Sequence, residues 1–464
     1  MQSYIRSRPE GAPAPEAHCP HLAFLLCCET AFGVALPAVA LAFGARDPAQ
    51  GGREKGMGLV RLFQISDLHL GRPFGWLPAE RREPRRRDQR SALERGVHEA
   101  IVRGAHAILV PGDLFDQESV DADTLAFALE AFNVPGCPPV LIAPGNHDPY
   151  FPRSLCWNER LLQARGRQWP AHVHLFTGET WSAFELPGLE GVRVWGRCFV
   201  SNAVSADRPL AAASVQGIPA PDGDRVEIGM FHGSREGGCP HGTEITAPFS
   251  DEEALASPFT YMAVGHYHAS SAISARSDLA AGVRLAYAGS AVSLDLGETG
   301  SHGAIEVRIE YGRRLPFVET EFVPLDRREV HALAVEVTRC GSAEQVDRRV
   351  DKALDDAGVA PDDLVTVQLT GRLPHDVRYR PAPRLRERVF HLRVDARQLR
   401  PDHDLESYRS RDPATTEERF VRDLLGRLDA EGDPAQKLLI ENALYYGLDA
   451  FRLGEVVPAY EEME

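Results

Sequence analysis

The chain has 464 residues, with 51 Lys and Arg against 67 Asp and Glu, a formal charge of −16 and eight cysteines. That length supplies two or three domains, and the acidic sum speaks against strong non-specific attraction to nucleic acid while leaving room for a local basic groove. No Cys-x-x-Cys pair occurs, so neither a zinc knuckle nor a thioredoxin-type redox site is legible, and the scattered cysteines read as reduced, small hydrophobes of a cytoplasmic protein.

Residues 1–56 contain an apolar run, 21–43, of the length of a signal or anchor. It is interrupted by Glu29 and Pro37, and only Arg6 and Arg8 precede it, beside Glu10 and Glu16. Residues 1–56 are therefore expected to be a mis-called start or a disordered extension ahead of Met57-Gly58-Leu59-Val60, with export as the alternative. From Val60 the pattern is strand, loop, helix, repeated. The run 60–65 reads as a strand, 88–102 as a helix with Leu93, Val97 and Ile101 on one face, and Ala107-Ile108-Leu109-Val110 as a buried strand ended by Pro111-Gly112. A helix is expected through 124–132 and a strand at 140–143. Strand patterns follow at 173–176, 181–186, 192–199, 226–231, 261–264, 284–288, 304–310 and 317–322. Alternating strands and helices predict a layered α/β domain over 57–325. Residues 326–401 read as a small α+β domain. Residues 402–464 read as a two-helix tail, and 401–464 hold sixteen Asp and Glu against seven Lys and Arg.

The polar residues that close the strands form a series: Asp67 and His69; Asp113 and Asp116; Asn146, His147 and Asp148; His232; His266 and His268. Each cluster follows an apolar run and contains or adjoins Gly or Pro, the pattern of a loop at a sheet edge, where open α/β sheets collect ligands. Each alone could be an ordinary turn or a solvated edge. Five in order, each behind a strand, point to a site. Asp, Asn and His form a mixed oxygen and nitrogen donor set without thiolate, which suits Mn²⁺, Fe²⁺ or Zn²⁺ better than Ca²⁺ or a structural cysteine zinc site. His98, His106, His172, His174 and His241 stand outside any motif and read as ordinary histidines.

Asp67-x-His69, Gly112-Asp113-x-x-Asp116, Gly145-Asn146-His147-Asp148, His232-Gly233 and Gly265-His266-x-His268 together resemble the calcineurin-like metallophosphoesterase superfamily. Within it, Asp67 to Gly71, Gly112 to Asp116, Tyr287 to Ser290 and His69 to Trp76 are similar to the DNA repair exonuclease branch, SbcD-like and YhaO-type, with Ala288 standing where that branch usually has Pro. The resemblance implies a four-layer sandwich, two mixed β-sheets flanked by helices, followed by the α+β capping-like domain and the helical tail. It implies two divalent cations, Mn²⁺ foremost, one on Asp67, His69, Asp113 and His268. The other is expected on Asp113, Asn146, His232 and His266, with Asp113 shared and a bridging hydroxide as nucleophile. It makes His147 a non-ligand that stabilises charge or protonates the leaving oxygen, with Asp116 accepting from its other ring nitrogen.

The run Arg81, Arg82, Arg85, Arg86, Arg87 and Arg90 is a candidate track for a DNA backbone, with Phe74 and Trp76 as base-stacking rings; a solvated helix start is the equal alternative. The function expected is a two-metal phosphodiesterase acting on DNA ends. Hydrolysis of a nucleotide or other small phosphoester is the second reading, and a non-catalytic scaffold with a structural metal site the third. No Gly-x-x-x-x-Gly-Lys-Ser/Thr loop occurs in the chain. The resemblance therefore implies a partner, an SMC-like coiled-coil ATPase of the SbcC kind. A homodimer is a further expectation, and a membrane is not.

Overall fold

The computed structural model describes residues 57–454 apart from 118, 223, 239–243, 313–314, 375–376 and 378. The expectations made for 1–56 and for His241 lie outside the described residues. Strand β1 (Gly58–Gln64) sends Val60 and Leu62 into one apolar cluster and Phe63 into another. A strand with two apolar faces belongs in the middle of a layered stack. Then come α1 (Ala79–Val102), β2 (Ala107–Val110), α2 (Ala122–Phe132), β3 (Val140–Ile142), α3 (Glu159–Gln163) and β4 (Val173–Leu175). β5 (Ser182–Glu185), β6 (Val192–Gly196), β7 (Val226–His232), α4 (Asp251–Ala256) and β8 (Tyr261–Gly265) follow. β9 (Ser271–Arg276), β10 (Ala281–Tyr287), β11 (Gly303–Tyr311) and β12 (Phe317–Pro324) complete the set.

These strands make one curled 12-stranded sheet, β4-β3-β2-β1-β11-β12-β10-β8-β7-β6-β5, with β9 paired to β10. The two expected sheets are its two leaves, joined where Ala281 and Gly282 pair with Phe317 and Val318. Val60, Leu62, Leu109 and Leu141 from one leaf meet Val194, Ile228, Met230 and Ala263 from the other between the leaves. Ile108, Val110 and Ile142 face outward toward Leu93, Val97 and Leu129 of α1 and α2. On the far side Phe231, Met262 and Val264 pack with Ala254 and Phe259 at α4.

β1 to β4 are mutually parallel, and so are β6, β7, β8 and β10. Each leaf therefore presents its strands' C-terminal ends along one edge. Gln64, fully buried at an inward position, ties the leaves together just below that edge. Its Nε2 donates to the carbonyls of Val264 (3.2 Å) and Ala286 (3.0 Å), and its Oε1 accepts from Tyr261 Oη at 2.6 Å.

After Pro324 the chain builds a separate parallel sheet, β13 (Val330–Glu336), β14 (Leu364–Leu373) and β15 (His391–Pro401), with α5 (Ala343–Asp356) and α6 (Pro383–Arg386). Its own core includes Val350, Leu354, Val367 and Val394. The tail is α7 (Leu405–Ser410), α8 (Thr416–Ala430) and α9 (Pro434–Leu453), which close on Tyr408, Val421, Leu425, Leu444 and Leu448. α1 starts well before the expected Asp88, because Pro84 lies within its early turns and Arg82 holds the entry loop through the carbonyls of Leu77 and Gly75. No helix among the described residues is long and apolar enough to cross a membrane.

Candidate metal centre

Every residue in the expected ligand set sits at the C-terminal end of a parallel strand: Asp67 and His69 after β1, Asp113 after β2, Asn146 after β3, His232 at the end of β7, His266 and His268 after β8. Asp67, His69 and Asp113 take left-handed backbone, with φ of 49°, 47° and 51°, and His266 has φ 114°. Such conformations are costly for residues with a Cβ and persist where the surroundings over-determine them, which is common in binding loops. Neighbouring glycines let the loops touch. A Cβ on Gly145 would lie 2.2 Å from Asp113 Oδ1, and one on Gly112 would lie 2.3 Å from His232 Nδ1.

The side chains converge in three overlapping groups, one of which brings donor atoms of His69, Asp116 and His147 within 4.8 Å of one another. Asp67, His69 and His268 each place a donor atom within 4.8 Å of the others, and so do Asp67, Asp113 and His232. Asp113 Oδ2 lies 3.6 Å from His69 Nε2 and 3.3 Å from His232 Nε2, a position between the groups. His232 Nε2 is 2.9 Å from Asn146 Oδ1, and the His232 and His266 rings meet edge-on at 5.1 Å. His266 N–H donates to Asp67 Oδ1 at 2.9 Å, binding the two leaves at the site itself. His266 Nε2 faces the Glu244 carbonyl at 2.9 Å, which leaves Nδ1 for a cation.

The fit to cations rests on buried atoms without partners. Asp67 Oδ2 and His69 Nε2 are buried and make no hydrogen bond among the described residues. An unanswered carboxylate oxygen and imidazole nitrogen in one buried cluster are costly unless a cation satisfies both. Without cations the cluster is electrostatically unsettled. Burial raises the Asp67 carboxyl, helped by Asp113 and opposed by the histidines. Burial also pushes Asp113 upward, but His232, His69 and His147 together outweigh it and hold this carboxyl far below its usual range. Burial would lower His232, yet Asp113 and Asp67 carry it up to about 9. Burial and the His232 charge take His266 down to about 4.

One expected contact is different. The Asp116 carboxylate lies near His147, within 4.8 Å of a ring nitrogen, but its closest partners are others: Oδ1 is 3.2 Å from His69 Nδ1 and 3.0 Å from Arg72 Nη1. His147 Nδ1 instead faces the Asp116 main-chain carbonyl at 3.1 Å. Spacing in sequence places Asp116 near His147 but does not fix which of its oxygens points there. His147 is exposed in a cleft of about 620 Å³ that Asp116, Asn146, Asn202 and Glu244 also line. Its ring stands 4.8 Å from His69, and its N–H donates to Asp113 Oδ1 at 3.0 Å.

Two neighbours, Glu298 and the motif residue Asp148, were given no role from sequence. Glu298 Oε1 lies 2.6 Å from His268 Nδ1, so a carboxylate sets the tautomer and direction of that ring. Asp148, buried, accepts from Gly145 N (2.8 Å) and Phe115 N (3.1 Å), locking the third ligand loop to the second. Burial, reinforced by Asp113, pushes its carboxyl up to about 7.

The expected DNA contacts at the start of α1 need correction. Arg85 is 0% exposed and bridges to Asp326 (2.9 and 2.5 Å) and to Ser293. Phe74 is 1% exposed, and half-buried Trp76 donates Nε1 to the Leu294 carbonyl at 2.9 Å. These three are not available as a backbone track or stacking platform. Arg81 lies over Phe390 at 5.1 Å, Arg82 caps the entry loop, Arg86 pairs with Glu83 at 2.7 Å, and Arg90 lies over Phe127 at 5.3 Å. Arg87 is exposed. Much of the run joins the curled sheet to the α+β module, because Phe390 also lies 3.5 Å under Arg328, which pairs with Asp88 at 2.5 Å.

Residues 60–270 match the calcineurin-like phosphoesterase family. A Bacillus subtilis (strain 168) protein described as an uncharacterized metallophosphoesterase, YhaO, is 27% identical over 264 residues, and the match covers 54% of this chain and 58% of that relative. A solved protein from Thermus thermophilus aligns with 15% identity and a TM-score of 0.31, covering 57% of this chain and 99% of its own. A dimetal phosphatase from Danio rerio aligns with 12% identity, a TM-score of 0.34 and the same coverage. Scores that low carry no argument from shape, and the sequence match stands beside the strand-end geometry on its own. The chain contains a calcineurin-like metallophosphoesterase domain.

Proposed function

We propose that this domain is a phosphodiesterase that works with two divalent cations, Mn²⁺ foremost with Fe²⁺ or Zn²⁺ as alternatives, and that it acts as a DNA repair exonuclease. The observation that carries the reading is the convergence of seven donor side chains from five strand ends beside an exposed histidine that is not among them. Asp67, His69, Asp113 and His268 would hold one ion, and Asp113, Asn146, His232 and His266 the other. When bound, such a pair supplies an activated water and neutralises charge on the phosphoryl oxygens.

The remaining work belongs to the chain. The Asp116 carbonyl accepts from His147 Nδ1 and so supports the imidazolium, whose Nε2 holds a proton for the departing ester oxygen. The Asp116 carboxylate lies 3.2 Å from His69 Nδ1, and Glu298 orients His268. Asp113, through the His147 main chain, keeps the proton donor in register with the ligand loops. An ATP-driven step would come from a separate SMC-like ATPase of the SbcC kind.

A second reading, hydrolysis of a nucleotide or other small phosphoester, gains from the internal engagement of Arg85, Phe74 and Trp76. The deciding assay offers labelled single- and double-stranded DNA and a small phosphodiester to the Mn²⁺-loaded protein. Shortening of DNA from an end is the expected result. Turnover of the small ester with intact DNA selects the second reading, and metal uptake without any turnover selects a structural scaffold.

A further inference from the structure

A second cavity, of about 430 Å³, shares no lining residue with the cleft at His147. It opens at the end of the curled sheet, where β4 is the last strand, and Val173, His174 and Leu175 of that strand line it. Its floor carries Trp157 and Trp169, stacked with centroids 5.5 Å apart and 18° between planes. Both indole N–H groups are already engaged, Trp157 with the Asp148 carbonyl (2.5 Å) and Trp169 with the Cys156 carbonyl (2.9 Å). The rings are therefore fixed; Trp157 is 1% exposed and backs half-buried Trp169, whose remaining surface is what the cavity meets.

Polar side chains, Tyr150, Asn158, Glu159, Arg160, His174 and Thr177, make up about half of the lining. Glu159 and Arg160 are exposed and of opposite sign. His174 is held against Phe176 and Phe184 at 4.7 and 4.5 Å, and burial lowers its pKa, so it offers one donor and one acceptor nitrogen. One half-buried indole face among several hydrogen-bonding side chains, in a volume within the roughly 300–1,000 Å³ of ligand pockets, suits a small, polar, aromatic molecule. The balanced rim disfavours a phosphate or another anion as the recognised group. A flat heterocycle with π faces and a donor–acceptor edge matches both floor and rim.

We infer that this cavity binds a nucleobase. Its floor is tied to the catalytic loops: Trp157 packs at 5.3 Å on Phe115, which lies between Asp113 and Asp116, and both Trp157 and Phe115 bond to Asp148. The base belongs either to the strand being processed or to a free nucleoside or nucleotide. Only the first source rests on the nucleic-acid reading proposed above.

The test uses the full-length, metal-free protein and equilibrium dialysis against adenosine, guanosine, cytidine and thymidine, then against a short single-stranded oligonucleotide. Saturable binding of at least one nucleoside is expected, weakened about tenfold by Trp169→Ala through lost aromatic surface. Thr177→Trp, which fills the cavity from an exposed lining position, should abolish it. Melting curves and unchanged turnover of the small phosphodiester by the metal-loaded variants control for folding. Oligonucleotide binding weakened by the same changes assigns the base to the strand, whereas nucleoside binding alone assigns it to a free ligand. Nucleoside binding that is absent, or indifferent to Thr177→Trp, overturns the inference. Because no cation and no turnover enters the binding measurement, its failure is distinguishable from a failure of the phosphodiesterase reading.

Discussion

At the strand ends, Asp67 Oδ2 and His69 Nε2 are buried with no hydrogen-bond partner among the described residues. At the start of α1, the charge of buried Arg85 is answered by the Asp326 carboxylate and both oxygens of Ser293, and only its Nε is left without a hydrogen bond. The two regions lie close in sequence, yet only in the second is the buried charge met by an opposite charge at hydrogen-bond distance. A buried charge answered within the chain belongs to the architecture, whereas a buried donor set left unanswered waits for something from outside. Polar density in a sequence does not separate the two cases; the partners do.

His147→Ala should break the catalytic half of that contrast most strongly. The alanine variant should bind two metal ions per chain and lose roughly 10²–10⁴-fold in kcat, since only a proton donor is removed. Metal analysis showing a lost ion would make His147 a ligand and refute the assignment.

Arg85→Met tests the architectural half. It leaves the Asp326 carboxylate buried without its guanidinium, at a cost of about 3–5 kcal/mol in unfolding free energy, with metal content unchanged. A stable variant with weakened DNA binding would restore Arg85 to the nucleic-acid surface.

Glu298→Gln sharpens the comparison at its boundary, where a protein carboxylate supports a ligand. Metal affinity should fall roughly 10–100-fold while the fold, read by circular dichroism, is kept. Equal affinity in variant and parent would reduce the Glu298 contact to a packing detail.

The smallest effect is in pH. Asp113 and Asp67 overcome burial to carry His232 to about 9, so without cations this ring is protonated at neutral pH. A cation must displace that proton. Apparent affinity should therefore rise about tenfold per pH unit from 7 to 8.5 for one proton released. Acid weakens binding, and alkali strengthens it until His232 is already neutral. A flat profile would mean that His232 does not ligate.

The candidate series was legible because each cluster follows a short apolar run and adjoins Gly or Pro, so the strand end fixes where the side chains can go. Asp67, Asp113, Asn146, His232 and His268 needed nothing else to be placed at one edge. Glu298 carried no such signal. It lies in a loop beyond β10, one acid among 67, and its link to His268 exists only in three dimensions. The sequence pairs the Asp116 carboxylate with His147, whereas the main-chain carbonyl of Asp116 is what faces His147 Nδ1 and the carboxylate lies nearest His69 and Arg72. β9 escaped notice since Ser271 to Arg276 is mostly exposed and short of large apolar residues. The Arg85–Asp326 pair, 241 residues apart, is invisible to any local reading.

The most direct test is a titration of the metal-free protein with Mn²⁺, followed by electron paramagnetic resonance of the wild type and of Asp113→Ala. Two ions per wild-type chain with an exchange-coupled signal, reduced to at most one uncoupled ion in the variant, is the predicted result. A wild-type chain that takes up a single uncoupled ion, or a variant that retains the coupled pair, would contradict a centre built around a shared Asp113.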